Sequence, residues 1–156
     1  MASLVLKDAE IRFKNFRGKE STFNPAGRRN FWVRIDGRKA KKLKKEGWAI
    51  KELRLENGKK RWFLPVTIYE SWADTKMNSK VVAIMSDGAL KVCKQLNDHS
   101  LGLLDVVDIE HFNMVIRGYE YNVNGRHGIK AYLRNANFYI PDSVSTVKIV
   151  NFLEGI

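Results

Sequence analysis

A mainly β fold with one or two short helices is predicted by three observations. Runs of strand length with apolar residues at every second position outnumber helix-like runs. Two Asn-Gly pairs, Asn57-Gly58 and Asn124-Gly125, each stand between two such runs, and Asn-Gly is the strongest short hairpin signal. The chain also lacks internal repeats, low-complexity tracts and long Pro/Gly/Ser linkers, so its 156 residues read as one domain, 1–156, with residues 141–156 as a C-terminal extension.

Taken in order, "AEIRFKNF" (9–16) alternates Ile11 and Phe13 with Arg12 and Lys14 and reads as a first strand. Asn24-Pro25 with Gly27 predicts a turn, because Asn-Pro starts turns and glycine supplies a permissive backbone. "RNFWVRID" (29–36) alternates clearly: Phe31, Val33 and Ile35 share one face, Asn30, Trp32 and Arg34 the other. "GRKAKKLKKEG" (37–47) is rich in helix formers between two glycines and predicts a short surface helix ending near Gly47.

Residues 48–70 read as a hairpin around Glu56-Asn57-Gly58-Lys59. Trp62, Leu64, Val66 and Ile68 form one face of its second arm, and Arg61, Phe63, Thr67 and Tyr69 the other. Pro65 marks an edge or bulge there. A loop follows at 71–79, then the almost wholly apolar "KVVAIMS" (80–86), which suits a buried strand. "ALKVCKQLNDHSLGLLD" (89–105) has helical character, with Asn97 or Asp98 capping its second part. The last unit is a long hairpin, 111–123 and 127–140. Phe112, Met114, Ile116, Ile129, Ala131 and Leu133 point inward, and Asn113, Arg117, Tyr119, Tyr121, Lys130, Tyr132 and Arg134 outward.

Charge restricts the partner. With 28 Lys+Arg against 17 Asp+Glu, the formal net charge is +11, a field that favours an anionic ligand. No apolar run reaches the roughly 20 residues that span a bilayer, and the first residues are too weakly apolar for a secretory signal, so a soluble, cytoplasmic protein without membrane contact is expected. The lysines at 39, 41, 42, 44 and 45 surround most of the predicted helix, which suits a solvated surface better than a specific contact. Cys93 is the single cysteine, so no internal disulfide can form. His99, His111 and His127 have no metal-ligand spacing, and Asp105, Asp108 and Glu110 read as turn and strand-start residues. No enzyme activity, metal or cofactor is expected.

Four strands place cations beside aromatics on their non-core faces. That interleaving suits single-stranded nucleic acid, in which unstacked bases need flat apolar partners and the intervening phosphates need cations. Any one of these rings could equally cover a second layer, since strands favour aromatics. Taken together they nominate Trp32, Phe63, Tyr69, Tyr119, Tyr121 and Tyr132 for stacking, and Arg28, Arg29, Arg34, Arg61, Arg117, Lys130 and Arg134 for phosphate. Two alternatives stay open: a module that binds an acidic host protein, and an RNA binder, since the same platform accepts either sugar.

The predicted order, early strands, a helix near 96–105 and two final strands, matches an OB-like five-stranded β-barrel with an additional strand or hairpin. The stretches "NPAGRRNFWVRID", "KKLKKEGWAIKE", "LLDVVDI" and "YEYNVNGRHGIKAYLRNANFYI" resemble a family of small phage-encoded single-stranded DNA-binding proteins, over about residues 10 to 140. The resemblance implies sequence-tolerant strand coating in phage DNA replication, repair or recombination, without chemistry, in the cytoplasm of a host cell. Many replication-type single-strand binders end in an acidic tail that recruits partners. This chain ends "STVKIVNFLEGI", an apolar segment expected to pack back on the barrel or to join a second copy in a homo-oligomer.

Overall fold

The computed structural model describes residues 3–22, 24–70, 77–87 and 90–141. The expected loop at 71–76 and the C-terminal extension from 142 onward lie outside the described residues. Nine strands and two helices follow one another as β1 (Ser3–Lys7), β2 (Ile11–Asn15), β3 (Arg29–Ile35), α1 (Gly37–Glu46), β4 (Lys51–Arg54), β5 (Lys60–Ile68), β6 (Lys80–Asp87), β7 (Leu90–Leu96), α2 (Leu103–Val106), β8 (His111–Val123) and β9 (Arg126–Tyr139). The fold is mainly β, as the alternation predicts.

Local chemistry accounts for the turns and caps. The Asp36 carboxylate accepts from the Arg38 and Lys39 amides at the start of α1, and Gly47 (φ 105°) ends the helix by donating to the Leu43 and Lys44 carbonyls. Asn124 and Gly125 both have positive φ, 52° and 77°, which a two-residue turn between twisted strands requires. In the first hairpin Gly58 takes φ 82°, and the Asn57 side chain accepts from the Lys59 amide.

β9 organises the sheet. Along one edge it pairs antiparallel with β8, and along the other it pairs in parallel first with β5 (Val66↔Ala131) and then with β6 (Val81↔Ala136). Strand order runs β1-β8-β9-β5-β3-β2, with β4 on β5 and β7 on β6. The closed five-stranded barrel does not form among the described residues: β1 and β2, at the two ends of the path, do not pair with each other. A fourteen-residue strand is long enough to serve two parallel neighbours in succession, so the sheet branches there.

Two expectations are corrected. Residues 90–96 form β7, a strand paired residue for residue with β6, where a helix was expected. Leu90, Cys93 and Leu96 also carry a helical spacing, but the second edge of apolar β6 needs a strand and the pairing wins over local preference. Among the described residues from 90 to 106, α-helix is confined to α2. The strand expected to be first is preceded by β1, which pairs with β8 and is tied to it by Asp8, whose carboxylate accepts from the Phe112 amide at 3.0 Å.

One face of the sheet carries the core. Phe16, Phe31, Leu64, Val66, Ile116, Leu133 and Phe138 are fully buried there, with Ala40 and Leu43 of α1 and Leu103 and Leu104 of α2 packed in. Pro65 sits where the edge of β5 passes from β4, which pairs up to Phe63, to β9, which begins at Val66. A residue without an N–H fits that gap in the ladder. The opposite face of the sheet holds the candidate interface.

Candidate nucleic-acid interface

The outer face is continuous from strand to strand. Its central row reads Asn15, Asn30, Thr67, Tyr132, Arg117 across β2, β3, β5, β9 and β8, each residue in register with the next. Two concave regions flank this row.

The first is a groove of about 1190 Å³ over β2, β3 and β5, walled by the 17–28 loop. Trp32 lies on its floor, half-buried, and the Phe13 ring meets it edge-on at 4.7 Å. Phe13 is 58% exposed. Strict alternation groups Phe13 with Ile11, away from Trp32. A bulge between Arg12 and Asn15, with Phe13 at φ 53°, turns the ring onto the outer face instead. Sequence periodicity therefore misses Phe13, and a bulge leaves no residue signature in "IRFKN".

Lys14, Arg17, Lys19, Arg28 and Lys51 line the groove with two acidic residues, Glu20 and Asp105. Asp105 has a structural task. Its two carboxylate oxygens accept from the Phe16 and Arg17 amides at 2.8 and 2.9 Å, pinning the end of β2 to α2. On the loop side the Asn24 amide donates to the Lys19 and Arg28 carbonyls and accepts from the Asn30 side chain at 2.8 Å. The Asn-Pro-Ala-Gly turn thus holds Arg28 at the rim. Lys14 donates to the Val107 carbonyl at 2.9 Å. Burial lowers its pKa from the ordinary lysine value, while the Asp105 and Asp108 carboxylates act the other way.

Two of the nominated residues are not on this surface as free groups. Phe63 is completely buried beneath Trp32 (6.2 Å between rings) and the Arg12 guanidinium (5.6 Å from its centroid), so it supports the floor and offers no face to a base. Arg29 shares the core-side face of β3 with Phe31 and Val33 and donates to the Asp98 carbonyl at 3.3 Å, away from the groove. Arg28, in the turn before β3, is thus at the groove rim, and Arg29, the first residue of β3, is on the far side. Of the remaining cations, Arg34 is exposed on the outer face of β3, whereas Arg61 is half-buried and shares Glu10 with Arg12, at 3.4 and 2.7 Å.

The second region runs along β8 and β9. Cross-strand pairs on its outer face are Arg117 with Tyr132, Tyr119 with Lys130, Tyr121 with Gly128 and Val123 with Arg126. From Tyr119 to His127 the hairpin is exposed on both faces, an arm extending beyond the core. Tyr119 and Tyr132 meet edge-to-face at 5.9 Å, and the Lys130 ammonium lies 5.2 Å from the Tyr132 centroid. Tyr121 crosses Gly128 so closely that a Cβ there would fall 2.3 Å from its hydroxyl. Tyr69, Met77, Arg117, Tyr119 and Tyr132 enclose a pocket of about 210 Å³. A second of about 440 Å³ adjoins it and includes Lys80, Arg117 and Arg134.

No group of three His, Cys, Asp or Glu residues able to hold a metal occurs among the described residues, and none of their helices is long and apolar enough to cross a membrane. A family model described as "Putative phage ssDNA-binding domain" matches residues 1–148. No curated protein matches the chain.

Proposed function

The chain belongs to the phage ssDNA-binding domain family, and on that premise we propose that it holds single-stranded DNA across the outer face of its sheet, by stacking and phosphate neutralisation and without catalysis. The observation that carries this reading is the continuity of that face. Trp32 and Phe13 in the groove and Tyr132, Tyr119 and Tyr121 on the hairpin lie on one side of one sheet, joined through Asn30, Thr67 and Tyr132 in register. Neighbouring strands are about 4.8 Å apart, so the row from β2 to β8 covers roughly 19 Å, room for several extended nucleotides.

Bases stack on these rings whatever their identity, and Arg28, Lys51, Lys130 and Arg134 stand beside them for the phosphates. Strand coating in phage replication, repair or recombination is the role that suits such a surface. Anisotropy titration of a labelled dT oligomer at several salt concentrations tests it: binding should tighten steeply as salt falls, because each phosphate contact releases counterions. Absence of binding at low salt, or affinity indifferent to salt, overturns the reading. A matched RNA competitor measures whether the 2′-hydroxyl is tolerated.

A further inference from the structure

We infer that the pocket formed by Tyr69, Met77, Arg117, Tyr119 and Tyr132 is a subsite for one base of the bound strand and that Arg117 makes it prefer guanine, an inference that rests on the single-strand reading above. Arg117 was nominated for phosphate; its surroundings point elsewhere. It stands on β8 opposite Tyr132 of β9 and two residues before Tyr119, and it is half-buried. One terminal nitrogen reaches the Met77 carbonyl at a long 3.4 Å and the other the Met77 sulfur at 3.9 Å. Nε is buried with no hydrogen-bond partner. Arg117 forms no ion pair with any described residue.

A buried N–H without an acceptor is costly, and a ligand that supplies the acceptor recovers that cost. The walls say what the ligand is. At about 210 Å³ the pocket takes one flat ring system, and Tyr119 and Tyr132, their ring planes 75° apart, both line it. A guanidinium edge matches two adjacent acceptors. Guanine has such a pair in N7 and O6, whereas adenine, equal in stacking area, sets a donor beside N7 and leaves one arginine N–H opposed. The adjoining pocket continues the subsite: Lys80 and Arg134 line it, where the next phosphate would lie.

The test uses the full chain and dT oligomers carrying one internal dG or one internal dA, titrated by anisotropy at one salt concentration. The dG oligomer should bind about five- to tenfold tighter, the lower part of the range for a bidentate arginine–guanine pair. Arg117→Lys, which keeps charge but loses the planar fork, should bring the two oligomers to equal affinity. Equal affinity for dG and dA in the unsubstituted protein, with dT binding intact, overturns this inference and leaves the single-strand reading standing. A dG advantage that survives Arg117→Lys removes Arg117 from the role. Failure to bind plain dT at low salt overturns both.

Discussion

The groove on β2, β3 and β5 and the ladder on β8 and β9 carry the same residue types on one sheet face, but they are held in place by different means. The ladder is plain antiparallel geometry: alternate residues of a hairpin with an Asn-Gly turn point the same way, and Tyr119, Tyr121 and Arg117 follow from parity. The groove is braced from outside its strands, by Asp105 on the backbone of Phe16 and Arg17 and by Asn24 across the loop. Its aromatic pair depends on a bulge. A surface made by period alone is open and tolerant of substitution, whereas one made by side-chain braces is preformed and lost with them. The groove should therefore dominate affinity, and the arm should add to it.

Trp32→Ala and Tyr132→Ala set the two regions against each other most directly. Each stacked base is worth about 1–3 kcal/mol. Trp32→Ala, which also uncovers Phe63 and deprives Phe13 of its partner, should fall at the top of that range, with Tyr132→Ala nearer the bottom. Anisotropy with a dT oligomer reads both, and circular dichroism verifies folding. A larger loss for Tyr132 would reverse the ranking. No loss for either would remove stacking from the outer face.

Asp105→Ala asks whether the brace matters. Hydrogen bonds to a charged group contribute about 1.5–3 kcal/mol, less where water competes, as it does at Arg17. The variant should melt a few degrees lower and bind dT several-fold more weakly. Unchanged affinity with a lowered melting temperature would mean that the groove wall does not need its anchor. On the arm, Gly128→Ala pushes the Tyr121 ring aside without meeting backbone, so a two- to threefold loss of affinity with little change in melting temperature is expected, a part of what one stacked base contributes. A severe loss of stability there would show that the arm is part of the core's support.

How much of this was legible depends on whether period or tertiary contact decides. The inward faces of β3, β5, β8 and β9, the Gly47 end of α1 and both Asn-Gly turns follow from residue order, and the structure places Phe31, Leu64, Met114 and Leu133 in the core as that order requires. Phe13 could not be read, because a bulge changes parity without marking the sequence. Nor could β7, whose residues satisfy either period until β6 offers an edge. Phe63 has the right parity and the wrong depth: Trp32 and Arg12 cover it, and alternation specifies a face without saying what lies above it. Arg28 and Arg29 separate because the first belongs to the turn that Asn24 holds and the second opens β3 on its core-side face. Arg28→Gln should lower affinity and reduce the salt slope by about 0.7, whereas Arg29→Gln should leave the slope alone and shift only the melting temperature.

The smallest expected effect is the dependence on alkaline pH contributed by Lys14, and its sign separates binding from folding. Burial favours the neutral amine, so in the free protein Lys14 loses its proton below the ordinary lysine value of 10.5. In the window between the two values the unfolded chain binds more protons than the folded one, so Lys14 makes stability rise with pH there. DNA affinity must move the other way, because phosphate near the groove favours the charged ammonium, which is disappearing over the same window. Lys14→Met should therefore flatten both profiles in that window and weaken dT binding slightly at neutral pH. If affinity and stability instead fall together as pH rises and the variant behaves like the parent, Lys14 is a packing residue of the groove wall and not one of its phosphate contacts.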